Sequence, residues 1–126
     1  MTKKKAMVQS ITLDDAASIL AVHPRTILRA ITNELNPYWA PGHNPDIPLM
    51  DVLMAFAIEQ DDFIAVLNGE DEVFKRKDAC QFVSDKYKPI KIRTFELRKY
   101  PPFFRFRSVV RYSRRMVESY HESHFA

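Results

Sequence analysis

Two stretches of this chain repeat one phrase, and the repeat limits what the chain can fold into. Ile11-Thr12-Leu13-Asp14-Asp15-Ala16-Ala17-Ser18-Ile19-Leu20 is echoed by Phe74-Lys75-Arg76-Lys77-Asp78-Ala79-Cys80-Gln81-Phe82-Val83. Each copy then reaches Arg-Thr and an apolar residue, Arg25-Thr26-Ile27 in one and Arg93-Thr94-Phe95 in the other. A third echo sets Ile47 to Phe56 against Arg111 to Tyr120, so the offset stays near 63 to 68 residues. A period of that length describes a small domain duplicated, not a solenoid unit. With 126 residues in all, each copy sits near the lower size limit for an independent core.

Apolar content of 46% and only two glycines place the chain among globular proteins and exclude low-complexity and collagen-like classes. The single cysteine, Cys80, rules out an internal disulfide framework and a four-cysteine zinc site, and its apolar neighbours mark it as a small buried hydrophobe. Met1 to Lys5 is basic, but no apolar signal region follows it, and no stretch approaches a membrane span. The expectation is a cytoplasmic chain with no membrane partner.

A net charge of +3 conceals strong segregation: residues 46 to 72 carry eight acids and no Lys or Arg, whereas 74 to 115 carry 14 bases against three acids. So much positive charge in a short segment repels itself, and a polyanion relieves that repulsion while releasing condensed counterions. A solvated basic face is the bland alternative.

The first helix is expected over 12–21, with Thr12 as N-cap and Asp14 and Asp15 in the first turn, where the helix dipole favours anions. Ala21-Val22-His23 reads as a turn, and Pro24 suits the first position of a second helix running to about Thr32. That helix buries Ile27 and Ile31 and leaves Arg25, Leu28 and Arg29 outside. Pro37, Pro41, Gly42, Pro45 and Pro48 then deny the chain long elements. Leu49 to Leu67 is helical again, with a break expected around Gln60-Asp61-Asp62. Asn68-Gly69 reads as a C-cap, and residues 69–73 as an acidic linker.

The second copy is expected to open with a helix from Lys75 or Arg76 to about Asp85. Five additional residues through Tyr87-Lys88-Pro89 follow, then a helix from Ile90 or Lys91 to Lys99, stopped by Pro101-Pro102. Phe104-Arg105-Phe106-Arg107 and Val109-Val110-Arg111-Tyr112 alternate with period two, the pattern of a hairpin with one buried face and one arginine face. Ser113 caps a final helix from Arg114 to about Glu122. His121 and His124 are read as belonging to a plain C-terminal stretch, not a metal site.

This order of helix, turn, helix, basic ribbon and closing helix resembles the winged helix-turn-helix of excisionase and MerR-type DNA-binding proteins, most clearly over residues 73 to 121. The resemblance implies a mainly α fold with short β-hairpin wings, in two tandem units. Residues 1–9 form a basic tail, 10–68 a divergent first unit, 74–122 the second unit, and 123–126 a tail. It also implies recognition helices entering the major groove, with Arg25, Thr26, Leu28 and Arg29 in copy one and Lys88, Lys91, Arg93, Thr94 and Leu97 in copy two at the DNA. Wing residues Arg105, Arg107 and Arg111 would lie along phosphates or in the minor groove. The family usually has glycine where Arg107 stands, so a hairpin turn of another type is expected there.

The expected partner is double-stranded DNA, read sequence-specifically in the nucleoid of a bacterium or its mobile element. The expected role is transcriptional regulator, excisionase or architectural factor in recombination, or replication initiator binding repeated origin sites, with no enzymatic activity, cofactor, metal or small-molecule substrate. Val52, Leu53, Phe56, Ile58, Phe63 and Ile64 either pack an inter-domain or homodimer interface or fill the first copy's own core. The competing class is a protein-interaction module whose apolar first unit binds a protein and whose basic half tethers it to nucleic acid.

Overall fold

The computed structural model describes residues 10–35 and 46–125. It is mainly helical with small antiparallel sheets, and it divides into two compact units, Met1–Asn68 and Gly69–Ala126. The basic N-terminal tail and the proline-rich stretch with Tyr38-Trp39, where the first copy's wing would fall, lie outside the described residues.

The first unit opens on strand β1 (Ser10–Thr12), followed by helices α1 (Leu13–Leu20) and α2 (Pro24–Glu34), strand β2 (Asp46–Pro48), and helices α3 (Leu49–Phe56) and α4 (Gln60–Leu67). Thr12 caps α1 as expected, its hydroxyl accepting from the Asp15 amide at 3.1 Å. Pro24 starts α2, and His23 caps it through Nδ1, which accepts from the Arg25 amide at 3.0 Å. The α1–α2 turn is closed by the Ala21 amide on Ser18 and the Val22 amide on Ala17. This is the paired C-cap that glycine usually supplies, here made by Ala21 at φ +56. Ala57, at φ +55, repeats the device at the end of α3. The break in the long helical stretch falls at 57–59, immediately ahead of Gln60-Asp61-Asp62, around which it was expected.

The second unit runs β3 (Val73–Lys75), α5 (Arg76–Lys86), α6 (Ile92–Leu97), β4 (Phe104–Phe106), β5 (Val109–Ser113) and α7 (Arg114–His124). Strands β3 and β4 flank β5, both antiparallel to it, so the basic hairpin belongs to a three-stranded sheet. Val83, Phe95, Tyr100, Val110, Tyr112 and Val117 are buried together with Ala79 and Cys80 in one core. Phe95 stacks on Tyr100 at 4.6 Å and meets Tyr112 edge-on at 5.2 Å.

The duplication is visible element by element. In both units a three-residue strand enters a helix, a second helix follows, and a later strand returns antiparallel to the first before another helix. Ile11 lies opposite Ile47 in β1–β2, as Phe74 lies opposite Tyr112 in β3–β5. The first residue of the repeated phrase, Ile11 or Phe74, is thus a strand residue directly ahead of the expected helix start.

Two segments differ from what their composition suggests. Residues 69–73 are not a solvated linker, because Asp71 is buried and its carboxylate accepts from Ser113 Oγ at 2.8 Å and from the Arg115 amide at 3.0 Å. The C-terminal stretch is not a plain tail either: α7 extends to His124, and His121 is buried, its Nδ1 2.8 Å from the Tyr100 hydroxyl and its ring stacked on Tyr87 at 4.0 Å. Burial, and then the nearby Arg98 charge, push the His121 imidazole below its ordinary pKa.

Candidate nucleic-acid interface

In the second unit the five residues between α5 and α6 form a defined turn. Ser84 Oγ accepts from the Ile90 amide at 3.1 Å and donates to the Ile90 carbonyl at 3.2 Å. Tyr87 is held at the other side, its hydroxyl donating to Glu122 at 2.7 Å. These two anchors fix where Lys88 and Lys91 leave the chain, and both are exposed.

Helix α6 is short and buries Phe95 alone, while Ile92, Arg93, Glu96 and Leu97 are exposed. Leu97 is 68% exposed, an unusual position for a leucine in so small a unit. Thr94 is half-buried. Among the described residues, Lys88, Lys91 and Arg93 have no ion-pair partner, so their charges are not neutralised within the protein. Arg76, by contrast, reaches Glu96 at 3.3 Å, and Lys86 reaches Glu118.

The hairpin departs from the expected arginine face. Its two-residue turn, Arg107-Ser108, sets Phe104 opposite Arg111 and Arg105 opposite Val110. Directly opposed residues share a face in an antiparallel pair, so Arg105 and Arg111 point to opposite sides of the sheet. Arg105 is exposed beside the core residues Val110 and Tyr112, whereas Arg111 is half-buried and donates to its neighbour's carbonyl, Val110 O, at 2.8 Å. Burial also lowers the Arg111 pKa.

Arg107 takes φ +56 at the tip, so the turn uses the left-handed conformation that glycine would adopt at lower cost, contrary to expectation. Its guanidinium lies 5.3 Å from the Phe106 ring centroid, a contact of about 0.5–1 kcal/mol at an exposed site. Relief of left-handed strain, about 1–2 kcal/mol, more than offsets loss of that contact. Arg107→Gly is therefore expected to unfold thermally no earlier than the parent in calorimetry. A clear drop in Tm would show the tip arginine to be structural.

In the first unit Arg25 and Arg29 are exposed on α2, Thr26 and Leu28 are half-buried, and Ile27, Ala30 and Ile31 face the core. Val52, Leu53, Phe56, Ile58, Phe63 and Ile64 are all buried, so none presents a free face to a second chain. The exposed apolar side chains of α3 are Met50 and Met54.

Sequence reasoning passed over Arg76 and Lys99, which with Arg105 line an open cleft of about 570 Å³ in the second unit. Their only signal was the basic composition. Among the described residues no cluster of three or more His, Cys, Asp or Glu is arranged to hold a metal, and no helix is long and apolar enough to cross a membrane. Comparison with protein-family models, curated proteins and solved structures gives no match to this chain.

Proposed function

We propose that this chain is a sequence-specific double-stranded DNA-binding protein made of two tandem winged helix-turn-helix units, acting in the nucleoid of a bacterium or mobile element. The observation that carries the reading is the unneutralised trio Lys88, Lys91 and Arg93 around the start of α6, with Leu97 exposed on the same helix. An arginine at that place can chelate guanine O6 and N7, and an apolar side chain beside it suits a thymine methyl. The lysines and the tip Arg107 supply phosphate contacts, which raise affinity without reading sequence. No catalytic step and no cofactor enter this reading.

In the first unit, Arg25, Thr26, Leu28 and Arg29 occupy the corresponding helix, with fewer cations around them. The second unit is accordingly the stronger grip and the first an auxiliary reader, linked so that its effective concentration at the site is high. If both engage, the footprint covers roughly two helical turns of DNA. Regulation of transcription, excision of an element and initiation at repeated origin sites all use such a reader.

A selected duplex and its scrambled counterpart test the assignment in a mobility-shift assay. Arg93→Ala is expected to lower discrimination between them by about 1–3 kcal/mol, while Arg107→Ala weakens both alike and reduces the salt dependence by about one counterion. Equal effects of the two substitutions on both duplexes would remove Arg93 from base reading. A protein-interaction role for the first unit is the second reading, supported by Met50 and Met54, four residues apart and 53% and 61% exposed.

A further inference from the structure

The cleft in the second unit lies between the start of α5, the residues after α6 and strand β4. Its lining sets three cations, Arg76, Lys99 and Arg105, against one carboxylate, Glu96, with Tyr100 and Tyr112 among the remaining lining residues. Glu96 is bound to Arg76 at 3.3 Å, and both are nearly half exposed. Among the described residues Lys99 and Arg105 have no ion-pair partner.

The rim is stiff. Lys99 sits at φ +54, its amide bonded to the Glu96 carbonyl at 3.2 Å, and Tyr100 behind it is buried. Pro101 and Pro102 follow with fixed φ. Arg105 is carried on a strand paired to β5, so its Cα is fixed by the sheet. Three cations held around one open depression favour an anion, and an open depression suits a single group on a long polyanion better than an enclosed small molecule.

We propose that this cleft seats one backbone phosphodiester of DNA, with Arg76, Lys99 and Arg105 as its shared ligands. The inference rests on the DNA-binding reading above and adds to it a fixed point that sets the register of α6 on the duplex. Glu96 opposes the phosphate, and its bond to Arg76 holds that guanidinium in place before DNA arrives.

The test uses the full chain and a scan of duplexes, each carrying one neutral methylphosphonate linkage. One linkage is expected to weaken the parent about tenfold, and the same linkage should have little further effect on Lys99→Ala or Arg105→Gln. Glu96→Gln should bind duplex about threefold tighter, a gain that misfolding does not produce. Variants that stay as sensitive as the parent to every linkage would overturn the shared seat while leaving DNA binding intact. A parent that binds no duplex would instead contradict the DNA-binding reading itself. Variants that bind duplex like the parent, while inorganic phosphate shifts the Tyr100 and Tyr112 resonances of the parent alone, would make the cleft a small-anion site and overturn the DNA seat.

Discussion

Replacing Phe95 with alanine is expected to destabilise the second unit by about 3–5 kcal/mol, enough to leave much of it unfolded near 37 °C. Phe95 is 1% exposed and lies between Tyr100 and Tyr112 in the core. It is also the one residue of α6 buried in that core. Removing its ring leaves a cavity and detaches the helix that carries Arg93 and Leu97. A unit formed by residues 69–126 has little stability in reserve, because so short a chain buries proportionally less surface than a larger domain. Leu97→Ala on the same helix should change stability by no more than about 0.5 kcal/mol, since exposed substitutions away from special features cost little. Urea unfolding followed by tyrosine fluorescence compares the two, and similar losses for both would contradict the assignment of Phe95 as the helix's anchor.

Asp71→Ala is expected to cost about 2–3 kcal/mol, the range for removing hydrogen bonds to a buried charged acceptor. Asp71 is 8% exposed, and its carboxylate accepts from Ser113 Oγ, the Arg115 amide and, at 2.7 Å, the Glu72 amide. Ser113 Oγ in turn accepts from the Met116 amide at 3.1 Å. Asp71 and Ser113 therefore satisfy the first amides of α7 together, and a carboxylate there also complements the helix dipole. Alanine would strand the Ser113 hydroxyl, which is fully buried. Asp71→Asn keeps an acceptor oxygen and should lose less than the alanine variant. If chemical denaturation found Asp71→Ala no less stable than the parent, residues 69–73 would be the linker their composition suggests.

The contrast between Asp71 and its neighbours explains where the sequence was legible. Glu70-Asp71-Glu72 reads as a solvated run, and two of the three are exposed. The partner that buries the third lies 42 residues away, and no local pattern announces it. Thr12, Pro24 and Ser113 were readable because capping is settled within three or four residues of the cap. Strands β1 and β3 were not, since three residues are too few to display alternation, and their pairing is decided by distant partners.

The hairpin shows the limit most clearly. Period-two alternation correctly located β4 and β5, but whether Arg105 and Arg111 share a face depends on the register across the turn. An even number of turn residues puts them on opposite faces, and an odd number would have joined them. Arg107-Ser108 carries none of the Asn-Gly chemistry that normally announces a two-residue turn. With two glycines in the chain, four left-handed positions among the described residues fall to Ala21, Ala57, Lys99 and Arg107, so the usual punctuation is missing there. His121 was misread for a related reason: its partners Tyr87 and Tyr100 belong to segments that meet α7 only in the folded unit.

The most direct test of the DNA-binding account is fluorescence anisotropy of the full chain on a selected duplex and on its scrambled counterpart, between 50 and 200 mM salt. The account predicts preference for the selected duplex by at least about 1,000-fold, the low end of specific recognition, and steep weakening on both as salt rises. Equal affinity for the two duplexes at every salt concentration, or no binding to either, would contradict it.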